Sequence, residues 1–269
     1  MAALHLDLTE SVARLARAQE VLASLHAEID ASLAKDTAYT LRVVLQPGTN
    51  GWFSVFLVPQ YVPDPHFGIL CGEFFYNLRC ALDYAVTALV RVSPAAALSS
   101  KHQFPVYETR TDYVGNVEKP AARGKGPLGQ AVERGSILVE ELQPYHQPEP
   151  RDTAVWIINH FCNRDKHREI AAYVVRFGAG SLRLQGCQPA ESRLPGPLQW
   201  EPGKECWLGD FRLDPPYPSA WDASADYTIH IGFRASGVRS EPCAQALDLP
   251  ELGKCCNRVG EILARFSDL

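Results

Sequence analysis

Segments with a helical period and segments with a strand period are grouped along this chain rather than alternating, and that grouping limits its fold most. A doubly wound parallel sheet needs a helix after each strand, which is not the pattern here. Residues 8–34 place Leu8, Val12, Leu15, Leu22, Leu25 and Ile29 at near-heptad spacing, and Asp7 with Glu10 forms a capping box at the start. Two β-rich runs, Tyr39 to Leu45 and Trp52 to Val58, flank Pro47-Gly48-Thr49-Asn50-Gly51, a hairpin loop. Helical periods return over 67–91, 135–142 and 153–170, where Asp152 or Thr153 can cap the start, and finally over 250–266. The runs 171–177, 181–184, 205–213 and 227–233 are β-rich and broken by Gly/Pro loops. Phe104-Pro105-Val106 lies in a loop, and Gly124 to Gly129 reads as a mobile stretch. The expected class is α+β: a helical bundle of about five helices, with an N-terminal β-hairpin and an antiparallel sheet inserted before the C-terminal helix. Without a long low-complexity stretch to separate two cores, residues 1–269 read as one elaborated domain. Its helical core covers 5–35, 67–92, 135–170 and 250–267, and its β-rich parts cover 38–60 and 171–235.

Charge and composition exclude some functions. A formal net charge of −5 provides no overall basic field for non-specific nucleic-acid or anionic-membrane binding. No run approaches the roughly 18 apolar residues of a membrane span, and Asp7 and Glu10 interrupt the place where a signal peptide needs an apolar core. A cytoplasmic location is expected. The 8 cysteines are scattered without a CxxC pair, as buried thiols in a reducing compartment would be. No GxGxxG, P-loop or GxSxG sequence occurs, and Gly178-Ala179-Gly180 has no helix after it, so no cofactor is expected.

Two helices carry polar stripes. At about 100° per residue, Glu73, Tyr76, Cys80, Asp83 and Tyr84 share one face, with Arg79 at its margin. Phe74, Leu78, Ala81, Leu82, Ala85 and Leu89 take the opposite, core-facing side. On the later helix Trp156, His160, Asn163 and His167 line up, while Val155, Ile158 and Cys162 form the packing stripe. Arg164, Asp165, Lys166 and Arg168 then concentrate charge at its end, where cations also complement the helix dipole. His160 and His167 stand about 10 Å apart along a helix axis, too far for one ion, so no metal site is expected.

These segments resemble a bacterial family with the pattern GDxxHNLRSALDH, then FPI, then ExLQPY, then NxDKHR. The matching residues are Gly72 to Tyr84, Phe104-Pro105-Val106, Glu140 to Tyr145, and Asn163-Arg164-Asp165-Lys166-His167-Arg168, in the same order. Tyr76 and Tyr84 stand where that pattern has histidine, and Glu73 where it has aspartate. A phenol with a pKa near 10 does not replace an imidazole that shuttles protons near neutrality. A looser likeness is to the HEPN superfamily of helical-bundle ribonucleases and nucleotide-binding proteins, which implies an Arg79 site with histidine where Tyr84 stands.

Two functions follow as expectations. In the first, the stripes face each other across a cleft as a metal-independent phosphoester- or RNA-cleaving enzyme. His167 is its general acid or base, Asp83 or Asp165 orients it, and Arg79 and Lys166 hold an anion. Glu73, Tyr76, Tyr84, His160, Asn163 and Arg168 then contact substrate, which is RNA or a phosphorylated small molecule. In the second, the same residues form a buried hydrogen-bonded network in a binding or regulatory module. A homodimer is compatible with either.

Overall fold

The computed structural model describes residues 5–34, 39–46, 48–93, 99, 101–165, 170–177, 181–185, 188–194, 204–215, 222–235 and 247–269. The fold is α+β, with the N-terminal β-hairpin, the antiparallel sheets and the C-terminal helix that the sequence leads one to expect. The chain divides into two compact units made of non-contiguous segments: 1–26, 66–171 and 234–269 in the first, 27–65 and 172–233 in the second.

The first unit is helical. Helix α1, Thr9–Leu33, begins as a helix of this unit, and the Asp7 carboxylate accepts the Thr9 N–H at 3.1 Å. That bond goes to Thr9 and not to the Glu10 N–H that a capping box uses, and the Glu10 carboxylate lies 3.7 Å from Arg91. The buried stripe also departs from expectation. Leu8, Ser11, Ala18, Val21 and Leu25 face inward while Val12 is exposed. Ser11 and Ala18 are small and give little hydropathy signal, yet they are what a closely packed helix needs on its inner face.

Helix α2, His66–Arg91, is the centre of the unit. Phe74, Leu78, Ala81, Leu82, Ala85 and Leu89 are fully buried, as their spacing predicts. Helix α3, Arg110–Tyr113, continues through a π-helical turn, Val114–Glu118, into α4, Lys119–Ala121. Thr109 caps it by accepting the Asp112 N–H. Pro120 has no N–H for the carbonyl of Asn116, and its ring would press on it. The wider π turn, in which Lys119 N–H bonds the Val114 carbonyl, relieves that crowding. The following Gly124–Gly129 stretch, expected to be mobile, is a series of turns. Lys125 N–H bonds the Pro120 carbonyl at 2.9 Å, Gly126 sits at φ +82° against Pro120, and Leu128 is buried.

Helix α5, Glu133–Glu141, packs so tightly on α2 that a Cβ at Gly135 would overlap Leu89. Helix α6, Ala154–Asp165, is capped by Thr153, whose hydroxyl accepts the Trp156 N–H at 3.3 Å. It buries Val155, Ile158 and Cys162, and Phe161 stacks on Phe75 of α2 at 4.7 Å. Among the described residues helix α6 runs to Asp165 and Ile170 is a strand residue, which corrects the helix expected to include 170. Helix α7, Leu249–Ser267, starts with a complete capping box between Asp248 and Glu251. Its stripe of Leu252, Cys255, Val259, Ile262, Leu263 and Phe266 is buried as predicted.

The second unit is β-rich. Strands β1, Tyr39–Leu45, and β2, Trp52–Pro59, pair antiparallel with Leu45 opposite Phe53. Strand β3 is Ile170–Phe177, β4 Leu182–Gln185, β5 Glu191–Arg193, β6 Cys206–Arg212, β7 Asp222–Ala225 and β8 Ile229–Ala235. One sheet runs β1-β2-β6-β5, β3 lies beside β8, and β4 pairs with β7. Phe53, Val55 and Leu57 of β2 are fully buried. Gly209, at φ +151°, lies at the bulge where the β2–β6 register shifts, and a side chain there would crowd the Arg193 carbonyl.

Candidate functional site

The predicted site residues separate into distinct clusters within the helical unit. Arg79 is only 9 % exposed, which moves it from the margin of a polar face to the interior. Each of its three nitrogens has an acceptor. Nε donates to Asp83 Oδ2 at 3.2 Å, Nη1 to Asn159 Oδ1 at 3.0 Å, and Nη2 to the Phe104 carbonyl at 2.7 Å. Nη2 also lies 3.0 Å from Asp83 Oδ1, which accepts the Phe104 N–H at 2.8 Å. One arginine therefore ties α2, α6 and the loop through Phe104 together. A planar guanidinium suits this because its donors fan out in a fixed fork.

The same loop is gripped from its other side. Gln143 is buried, its amide donates to the Pro105 and Val139 carbonyls at 2.9 and 3.0 Å, and its Oε1 accepts the Tyr107 N–H at 3.2 Å. The segments around Arg79, Phe104 and Gln143, widely spaced in sequence, are thus successive parts of one clamp. Buried backbone polar groups in a loop must find partners, and here side chains supply them.

Asn163 joins this cluster at its edge, donating to Asn159 Oδ1 at 3.3 Å. Asp165 does not. Its carboxyl rests against Gly72, where a Cβ would overlap it, about two helical turns from Arg79 along α2. Burial of the carboxyl raises its pKa above the ordinary aspartate value. Gly68, one turn earlier, lets the Ile170 carbonyl approach α2 equally closely. Lys166, His167 and Arg168 lie outside the described residues.

His160 belongs to another group. Its ring stacks on Trp156 at 4.6 Å, and Trp156 Nε1 donates to Glu108 at 2.8 Å. Arg151 Nε donates to the second oxygen of Glu108, also at 2.8 Å. Burial acts to raise the Glu108 pKa, but the bonds from Arg151 and Trp156 outweigh it and leave the carboxyl below its usual value.

Tyr76 and Tyr84 partner α1. The Arg14 guanidinium lies 5.9 Å from the Tyr76 ring and 5.7 Å from the Tyr84 ring, and it donates to Asn77 Oδ1 at 3.0 Å. Glu73 accepts two bonds from Arg17, at 3.0 and 2.6 Å. A hydrogen bond with Cys80 raises the Tyr76 pKa above the usual phenol value. The exposed-looking stripe on α2 is therefore a seam that holds α1 at one edge and α6 at another.

Asn159 was not singled out from sequence, and Gln143 and Phe104 entered only as parts of the resembling motifs, with no role given to them. Asn159 carries a signal in hindsight, because it stands four residues before Asn163 on the same helix. A cleft of ≈ 780 Å³ opens between the first turn of α6 and α7, lined by Asp152, Lys254, Arg258 and Glu261 among others. None of the predicted site residues lines it, and Arg258 is already paired with Glu261 at 2.7 Å. Among the described residues, no group of three or more His, Cys, Asp or Glu is arranged to hold a metal ion, and no helix is long and apolar enough to cross a membrane. Comparison with family models, with curated proteins and with solved structures returned no match.

Proposed function

We propose that this chain is a binding or regulatory module in which the residues around Arg79 hold the scaffold rather than react. The observation that carries this reading is that all three Arg79 nitrogens are engaged inside the protein, on Asp83, Asn159 and the Phe104 carbonyl. A cation that stabilises a reacting anion must direct donors at the place where charge develops. Arg79 directs its donors at acceptors of the scaffold itself, on α2, on α6 and on the Phe104 backbone. Incubating the purified chain with a panel of RNAs and phosphoesters tests the reading. No turnover is expected, whereas turnover that Arg79→Lys abolishes while the fold remains intact overturns it.

One observation favours the competing reading of a metal-independent phosphoester- or RNA-cleaving enzyme. Asp165 is exposed as a residue, but its carboxyl packs against Gly72 and the burial there raises its pKa, the direction a general acid requires. That reading expects cleavage of an RNA or phosphoester that is lost in His167→Ala and in Asp165→Asn. Cys71, Cys80, Cys162, Cys206, Cys255 and Cys256 are all free thiols, which supports a reducing, cytoplasmic setting for either function.

A further inference from the structure

The geometry points to a ligand site beside the π-helical turn that takes a small organic monocation, an ammonium head on a compact apolar body. This inference rests on the binding-module reading and gives it a site. The pocket has a volume of ≈ 290 Å³, close to the lower end of the roughly 300–1,000 Å³ typical of small-molecule sites. Buried Val117 and Leu128 provide its apolar surface, and Arg110, Glu118, Glu133 and Glu140 line its polar side. Single π turns occur often at functional sites, and this one brings both Val117 and Glu118 to the pocket.

Two polar groups in the pocket have capacity left over. Tyr113 is 2 % exposed, and its ring is fixed by Tyr107 at 6.2 Å, Tyr145 at 5.9 Å and the Arg110 guanidinium at 5.8 Å. Its hydroxyl has no hydrogen-bond partner among the described residues, although it lines the pocket. On a side chain this buried, a hydroxyl without a protein partner is left for whatever occupies the pocket. Burial, followed by the charges of Glu140 and Glu118, keeps the phenol protonated.

Glu140 is the second group. Tyr145 donates to its Oε1 at 2.7 Å, His146 Nε2 lies 3.1 Å from that atom and Arg110 Nε 3.5 Å from it. Its Oε2 has no partner among the described residues. Arg110 is also held by Glu118 at 2.8 Å, and Glu133 has no ion-pair partner among the described residues. Three carboxylates against one guanidinium leave two negative charges on the lining, which repels an anion and attracts a cation. An ammonium brings three donors for acceptors that stand open, Glu140 Oε2, the Tyr113 oxygen and Glu133. Its apolar body would cover Val117 and Leu128.

Isothermal titration of the full chain with phenethylammonium chloride, with 3-phenylpropionate as the shape-matched anion, tests the site. Saturable binding of the cation and none of the anion is expected. Tyr113→Phe should weaken it about fivefold and Glu140→Gln at least about tenfold, as losing a neutral and a charged hydrogen bond does. Glu133→Gln, an exposed change that leaves the fold untouched, should weaken it about threefold, in the range of a surface charge contact. The site is wrong if the cation does not bind, if the anion binds as well, or if Tyr113→Phe and Glu133→Gln bind like the parent. A chain that binds no cation and also cleaves no RNA loses this pocket but keeps the binding-module reading. RNA cleavage in the preceding assay removes that reading whatever the titration gives.

Discussion

Two polar clusters in the helical unit, one centred on Arg79 and one on Tyr113, are made of similar residue types and use them differently. Around Arg79, three guanidinium nitrogens and both Asp83 oxygens are bonded to neighbours, two of those bonds reaching the Phe104 backbone. Around Tyr113 the bonds concentrate on single atoms, so that Glu140 Oε1 is approached by Tyr145, His146 and Arg110. Capacity remains in the second cluster. The contrast teaches that residues with chemical potential in a sequence are not thereby the reactive ones. A charged group deep in a fold is first of all a desolvated group that needs partners, and one with all partners in place has none to offer a ligand.

The contrast can be broken most forcefully at Arg79. Arg79→Ala removes the cation paired with the Asp83 carboxylate and the side-chain donor to the Phe104 carbonyl, and it should lower the unfolding free energy in urea by about 3 kcal/mol, the low end for a broken buried pair because Asp83 is partly open to solvent. Arg79→Lys should recover less than half of this, since one ammonium cannot span acceptors arranged for a fork. Gln143→Leu keeps the volume but strands the Pro105 carbonyl and the Tyr107 N–H, with an expected loss of about 2 kcal/mol in the same measurement. Tyr113→Phe sharpens the comparison from the other side. No hydrogen bond disappears, so stability should stay within about 0.5 kcal/mol of the parent.

A smaller effect is expected at Asp165. Burial raises its folded pKa above the ordinary 3.8, so the fold favours the protonated form. Stability from this group is therefore fully present below pH 3.8 and is lost as pH rises through the folded value. Asp165→Asn should melt higher than the parent at pH 7, and the difference should vanish near pH 3. An equal gap at both pH values would contradict the burial argument.

The helices α2 and α7 were legible because their apolar stripes are long and made of large residues. The seam of α1 was misread at Val12 because its inner face uses Ser11 and Ala18, which carry little hydropathy. The segment Arg110 to Ala121 passed for loop although Thr109 and Asp112 hold a cap, since Pro120 obscures a helical pattern. Strands β5 and β7 are 3 and 4 residues long with little buried surface, too short for a period to register. The site was legible only in part. A helical projection locates Arg79 on α2, but its burial depends on Asn159 and on a carbonyl in a loop, neither of which local periodicity can report. The pocket at Tyr113 depends on a π turn, for which no sequence period is read.

The central claim, that Arg79 and Asp83 act together as a structural clamp, is tested most directly by a double-mutant cycle of Arg79→Ala and Asp83→Ala in urea unfolding. Because each partner satisfies the other, removing both should cost about 1–3 kcal/mol less than the sum of the single losses. Strict additivity, or single losses below about 0.5 kcal/mol, would show instead that these groups are free for other work.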